Sequence, residues 1–90
     1  MIQPVNKNLL IEPLKSDSFL AKQDEKFEQI GEILSVSKDL KHLYNKIGYR
    51  VYFDSWLAGK YINPDGEEGD FYWLVNWEDI KAIEKVEKNN

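Results

Sequence analysis

Three short apolar runs constrain the fold of this chain more than any other feature. Ile2-Gln3-Pro4-Val5-Asn6-Lys7-Asn8-Leu9-Leu10-Ile11-Glu12 opens with a Pro-containing arm and continues as a strand. Ile30-Gly31-Glu32-Ile33-Leu34-Ser35-Val36 and Lys46-Ile47-Gly48-Tyr49-Arg50-Val51-Tyr52-Phe53 follow it. Each run is entered through its own Gly or Pro, and β-branched and aromatic residues favour a pleated surface. Short strands separated by turn residues point to a small β-barrel. The expected class is all-β, a single domain over residues 1–90.

Local chemistry sharpens the boundaries. Pro13 has no N–H to donate, so the first strand ends there or runs along an edge. Gly31 stands near the start of the second run, where glycine marks a bulge or a close backbone approach. Tyr49, Val51 and Phe53 alternate with polar neighbours, as one face of a half-buried strand does. Lys60-Tyr61-Ile62 and Asp70 to Asn76 flank a segment containing Pro64-Asp65-Gly66, in which Pro presets φ and Gly accepts positive φ. That pattern is a β-hairpin with an acidic tip. Leu40, Leu43, Tyr44 and Ile47 recur at intervals of three and four, and Ser37 is placed to cap them. A short helix and an irregular loop both fit residues 37–46. The end of the chain is also two-valued. Trp77, Ile80, Ile83 and Val86 have helical spacing behind an Asn76 cap, whereas Asp79 to Glu84 alternates as a strand.

Composition excludes several classes. With 90 residues and no Cys, the chain has neither a disulfide framework nor a thiolate metal site, and a staple-free domain of this size often gains burial by oligomerising. Its formal charge of −4 and single Arg lack the clustered cations of a nucleic-acid binder. No run approaches the ~20 apolar residues that span a bilayer. The first residues do not read as a signal peptide, so a soluble, cytoplasmic protein is expected. His42 is the sole histidine and lacks companions for zinc or a nucleophilic triad. Ser35, Ser37 and Ser55 sit in no glycine-flanked elbow. No catalytic constellation, phosphate-binding loop or cofactor site is read, and the chain is not expected to be an enzyme. Asp65, Glu67, Glu68 and Asp70 offer oxygens to a hard cation, but without an EF-hand spacing they read as a solvated hairpin end.

Four segments in order resemble the GroES-type co-chaperonin family. The opening Ile2-x-Pro4 with Leu10-Ile11 is similar to its N-terminal strand. Gly31-Glu32-Ile33-Leu34-Ser35-Val36 resembles its Gly-Glu-Val-Leu-Ala-Val strand. Lys46-Ile47-Gly48-Tyr49-Arg50-Val51-Tyr52-Phe53 is similar to its Lys-Val-Gly-Asp-x-Val-x-Phe segment. Trp77-Glu78-Asp79-Ile80-Lys81-Ala82-Ile83 resembles its closing Glu-Ser-Asp-Ile-Leu-Ala-Ile. The resemblance favours the strand over the helix at the end of the chain. It implies a partly irregular barrel in a homo-heptameric ring that caps a GroEL-type chaperonin and assists ATP-dependent folding.

The same resemblance implies the sites. The first strand would pair with the last strand of a neighbour, Asn8 to Glu12 against Asp79 to Ile83, placing Leu9, Leu10, Ile11, Ile80, Ala82 and Ile83 at the subunit interface. A mobile loop at about 15–29 would dock on the chaperonin through Ser18, Phe19, Leu20 and Ala21. This connection is shorter than the family's and has no paired glycines, and the family's roof hairpin is missing or replaced by Asp39 to Asn45. From the residues alone, Phe19 and Leu20 either dock or fold back onto the barrel, and a weak amphipathic helix also fits the segment. Trp56-Leu57, Trp73 and Trp77 read as core or interface, or as an exposed peptide platform. The alternative function is a GroES-like structural or interaction module, phage-associated, that has lost chaperonin binding.

Overall fold

The computed structural model describes residues 2–14, 28–62, 66 and 70–86. Among them, one sheet contains six strands: β1 (Asn8–Pro13), β2 (Glu28–Val36), β3 (Arg50–Asp54), β4 (Gly59–Ile62), β5 (Phe71–Asn76) and β6 (Ile80–Glu84). Three 3₁₀ segments, Lys38–Lys46, Ser55–Leu57 and Trp77–Asp79, join consecutive strands. Every strand pairing is antiparallel, in the order β4-β5-β1-β2-β3-β6. The all-β class is therefore correct, but the ladders do not close into a complete barrel.

Two connections show that this sheet is rolled. β5 and β6 stand four places apart, ~19 Å across a flat sheet at the usual strand spacing. Only Trp77–Asp79 joins them, and a fully extended link of that length reaches ~14 Å. The β3–β4 link crosses the same four places, with Ser55–Leu57 wound into a 3₁₀ turn. Both crossings require the β4 and β6 edges to curl toward each other, in keeping with the near-equal extents of 34 × 31 × 29 Å. A seam remains between those edges.

The core fills the inside of the roll. Leu9, Ile11, Ile33, Val51, Phe53, Trp73 and Val75 alternate inward from four strands, joined by Val36, Leu40 and Leu43. The edge of Phe53 meets Trp73 at 5.7 Å between ring centroids, and Phe71 meets it at 5.2 Å. Such edge-to-face pairs suit the ring quadrupoles.

Bulges explain where simple alternation fails. Leu10 pairs with Ser35 but Ile11 pairs with Ile33, so Leu34 has no opposite number. That extra residue changes the phase of β2: Gly31 and Ile33 are buried before it, Val36 after it. A second shift lies between Phe53↔Ile80 and Tyr52↔Ala82, leaving Lys81 as the extra residue. It turns Ile80 and Ile83 toward the same side despite a spacing of three. The helical reading of the end of the chain came from this spacing. Residues 80–84 are a strand, and Asn76 caps only the single turn before it, its Oδ1 accepting from Glu78 N at 3.0 Å.

The helix-or-loop segment is a 3₁₀ helix kinked at Leu40, with φ −112° and ψ 43°. Residues three apart eclipse in a 3₁₀ helix. Leu40 and Leu43 accordingly face the core, while Tyr44 and Ile47 are exposed. The Ser37 side chain does not cap this helix; its hydroxyl donates instead to Asp39 Oδ1. β2 begins at Glu28, two residues before the sequence pattern signalled it. The remaining hairpin and strand boundaries agree with the sequence reading to within a residue or two.

Candidate functional site

One turn positions the elements around the start of β1. Asn6 and Lys7 take φ of 58° and 65°, and Asn8 N donates to Val5 O at 3.2 Å. This left-handed pair aims its backbone groups outward. Trp77 N donates to Lys7 O at 2.7 Å, Asn76 Nδ2 to Asn6 O at 3.1 Å, and Lys7 N to Asp39 Oδ1 at 3.3 Å. The turn thus moors the first and third 3₁₀ segments. The bond from Ser37 is the main reason the Asp39 carboxyl titrates below its ordinary value, with Lys7 adding its N–H and its charge. The arm ahead of the turn is held by Pro4, which is buried, and by Gln3 Nε2 donating to Val36 O at 2.9 Å.

The expected interface residues separate into two groups. β1 has both edges occupied within its own chain, by β2 and by β5. Leu9, Leu10 and Ile11 are each 0% exposed. The expectation that Asn8 to Glu12 pairs with a neighbour is corrected accordingly: β1 is a central strand, and these three residues are interior. β6 differs. Among the described residues it pairs with β3 alone, and Lys81, Ala82, Ile83 and Glu84 are exposed. Ile80 is half-buried against the core.

The candidate docking residues Ser18, Phe19, Leu20 and Ala21 lie outside the described residues, as do Asp65, Glu67 and Glu68 of the acidic tip. The tryptophans divide. Trp73 is core, Trp77 leans on the core from its 3₁₀ turn, and Trp56 is 71% exposed. Trp56 and Leu57 stand on the link from β3 to β4, and Trp77 on the link from β5 to β6. Both links join the β3–β6 corner to the β4–β5 corner, so they flank one end of the seam. Ile62, also exposed, lies on the seam's β4 edge. Sequence reading had Trp56-Leu57, Trp73 and Trp77 as core or interface or as an exposed platform; what it missed is the seam beside which Trp56 and Leu57 stand exposed. The signal for it was present only in part: Trp56-Leu57 follows a strand that ends on schedule, but nothing in the pattern says where the next strand docks.

Lys60 Nζ lies 4.7 Å from the Phe71 ring centroid and 5.5 Å from that of Trp73, a cation held over aromatic faces. Trp73 Nε1 is buried and has no partner among the described residues. Across the β3–β6 ladder, Tyr52 Oη donates to Glu84 Oε1 at 2.9 Å, and Arg50 approaches the same oxygen at 3.6 Å. The bond to Glu84 holds the Tyr52 phenol above its ordinary value. His42 is on the surface. Among the described residues no group of three or more His, Cys, Asp or Glu is placed to hold a metal, and no helix is long and apolar enough to cross a membrane.

No protein-family model matches this chain, and no curated protein matches it significantly.

Proposed function

We propose that the chain is a co-chaperonin-like subunit that caps a GroEL-type chaperonin ring and assists ATP-dependent folding, docking through the segment after β1. The reading rests on the resemblance, and one observation supports it: the resembling segments all include strands, although β1 is not the shared edge that the resemblance implies. The four segments similar to GroES-type proteins fall on β1, β2, β3 and β6, and their two glycines have structural reasons. A side chain at Gly31 would overlap Ile11 Cγ2 and meet Glu12 O at 2.8 Å, and Gly48 has φ +95° at the turn into β3.

The mechanism is multivalent capture. A short apolar segment that orders on docking binds weakly by itself, because ordering costs free energy in each copy. Several copies on one ring bind tightly through effective concentration. Subunit contact is left to β6, where Ala82 and Ile83 are exposed and Ile80 is half-buried. A pull-down on a chaperonin ring tests the reading: retention should require nucleotide, and Phe19→Ser with Leu20→Ser should abolish it without changing the mass of the free protein. Retention that survives both changes overturns the docking site; no retention of the parent chain under any nucleotide overturns the function.

The exposed Trp56 favours a second reading, an interaction module that binds partners at the seam without capping a chaperonin. It would leave binding unchanged in the Phe19 and Leu20 variant and reduce it in Trp56→Ser.

A further inference from the structure

The two edges of the sheet are protected unequally. Along β6, residues 80–85 carry Lys81, Glu84 and Lys85, and the bulge at Lys81 breaks the even ladder that a further strand would need. β4 has neither device. Among the described residues it pairs with β5 alone, and Gly59, Lys60, Tyr61 and Ile62 oppose Leu74, Trp73, Tyr72 and Phe71 one for one, without a bulge. Gly59, Lys60 and Ile62 are exposed, so this edge is accessible. It is also nearly uncharged. The run Ser55-Trp56-Leu57-Ala58-Gly59-Lys60-Tyr61-Ile62 has Lys60 as its only charge. Short apolar runs with little charge and no Pro are the ones that add onto identical chains.

We propose that Lys60 guards this edge, keeping the β4 of a second copy of this chain from pairing with it. The placement of the side chain carries the inference. Lys60 opposes Trp73, a core residue, so it stands on the inner face of the roll. Its ammonium lies 4.7 Å from the Phe71 centroid and 5.5 Å from that of Trp73, so the stem runs back over β5 while the residue stays exposed. A strand added beside β4 would cover that face and take water from the charge, which is why an inward charge on an edge opposes addition. A second copy meets a further obstacle. Antiparallel neighbours in one sheet match side chains on the same face, so twin Lys60 ammoniums fall opposite or diagonal to each other when two β4 strands overlap, and like charges so placed repel. Ile62, two residues on, shares the inner face and is 65% exposed. It is the apolar contact that an unguarded pairing would bury. The inference does not rest on the chaperonin reading, and it leaves β6 free for subunit contact.

Lys60→Val is the test. It carries the formal charge of −4 one unit further negative, so long-range repulsion between chains grows and only the local guard is lost. Light scattering over a concentration series should show the variant growing beyond the mass of the parent chain, starting at a concentration about tenfold below any growth of the parent. Lys60→Arg keeps the charge and should keep the parent's mass. Lys41→Val removes an exposed lysine from the 3₁₀ segment Lys38–Lys46 and should also match the parent. Adding Ile62→Lys to Lys60→Val returns a charge to the same face of the same edge and should restore the parent's mass. A cooperative urea transition in Lys60→Val is expected, because the residue is exposed. A Lys60→Val protein that keeps the parent's mass at every concentration overturns the proposal. Equal growth in Lys41→Val overturns it too, since charge lost anywhere would then suffice. Growth that Ile62→Lys does not reverse places the contact on another surface, and growth by a chain without a cooperative transition starts from unfolded protein; either result also overturns it.

Discussion

Replacing Gly31 with Ala isolates a close approach between the backbones of β1 and β2. Gly31 is buried on β2 opposite Pro13 and Val51, so strands lie on both sides of it. An added Cβ would overlap Ile11 Cγ2 and stand 2.8 Å from Glu12 O, with the Glu12 carbonyl carbon at 3.4 Å. The oxygen belongs to backbone, so relief requires β1 and β2 to part. Overpacking of this kind costs about 1–3 kcal/mol, and the reduced freedom of the unfolded chain returns only about 0.4–1 kcal/mol. A net loss of about 2 kcal/mol follows, close to the upper part of that range because backbone yields less than a side chain. For a domain of this size it lowers Tm by roughly 8–16 °C. The assay is urea unfolding followed by tryptophan fluorescence. Gly48→Ala is the control: nothing lies within 4 Å of its Cβ, and its cost arises only from φ +95°. The steric account makes one further demand. Ile11→Leu removes Cγ2, so it should recover part of the Gly31→Ala loss and none of the Gly48→Ala loss. A Gly31→Ala protein within about 0.5 kcal/mol of the parent would refute the reasoning, since that is the scatter of harmless substitutions.

Other outcomes follow from the same structure. The Asp39 carboxyl titrates below its ordinary 3.8 in the folded chain, so its contribution is present above the unfolded value and lost as pH falls through the lower folded one. Asp39→Asn should therefore destabilise at neutral pH, by an amount that vanishes in strong acid, read from unfolding midpoints across pH. The Tyr52 phenol is held above its ordinary 10.0, so the Tyr52–Glu84 bond stabilises below that value and is lost as pH rises through the folded one. Ultraviolet titration should show a step above 10.0 that Tyr52→Phe removes. Phe53→Ala empties the centre of the core and should cost about 3–5 kcal/mol, whereas Trp56→Ser, at 71% exposure, should change stability by less than about 0.5 kcal/mol; equal losses in chemical denaturation would contradict this placement of the two rings.

The strands were legible because burial on one face imposes a period of two. Val51 and Phe53 kept that period and were read correctly, as was the glycine that marks a close approach. The residue pattern became ambiguous where an extra residue changed the phase, and the strand that the resemblance favours at the end of the chain is the one present. Lys81 makes Ile80 and Ile83 share a side, and their spacing of three imitated a helix. Leu40 and Leu43 posed the converse problem, because a 3₁₀ turn and an α-helix both place such a pair together and differ only at Tyr44 and Ile47. The pairing partner of β1 was not in its sequence at all. Leu9-Leu10-Ile11 is apolar on consecutive positions, as a strand buried on both faces is, and that run spoke for a central place where the resemblance implied a shared edge. The seam was invisible for a related reason: which strands remain unpaired depends on long-range docking that no local pattern encodes.

Sedimentation velocity of the fluorescently labelled protein mixed with a GroEL-type ring decides whether the proposed capping of a chaperonin takes place. A capping subunit gives a labelled boundary that moves with the ring when nucleotide is present and returns to the position of the free protein when it is removed. A label that sediments alone under both conditions, at protein concentrations well above those of the ring, would contradict it.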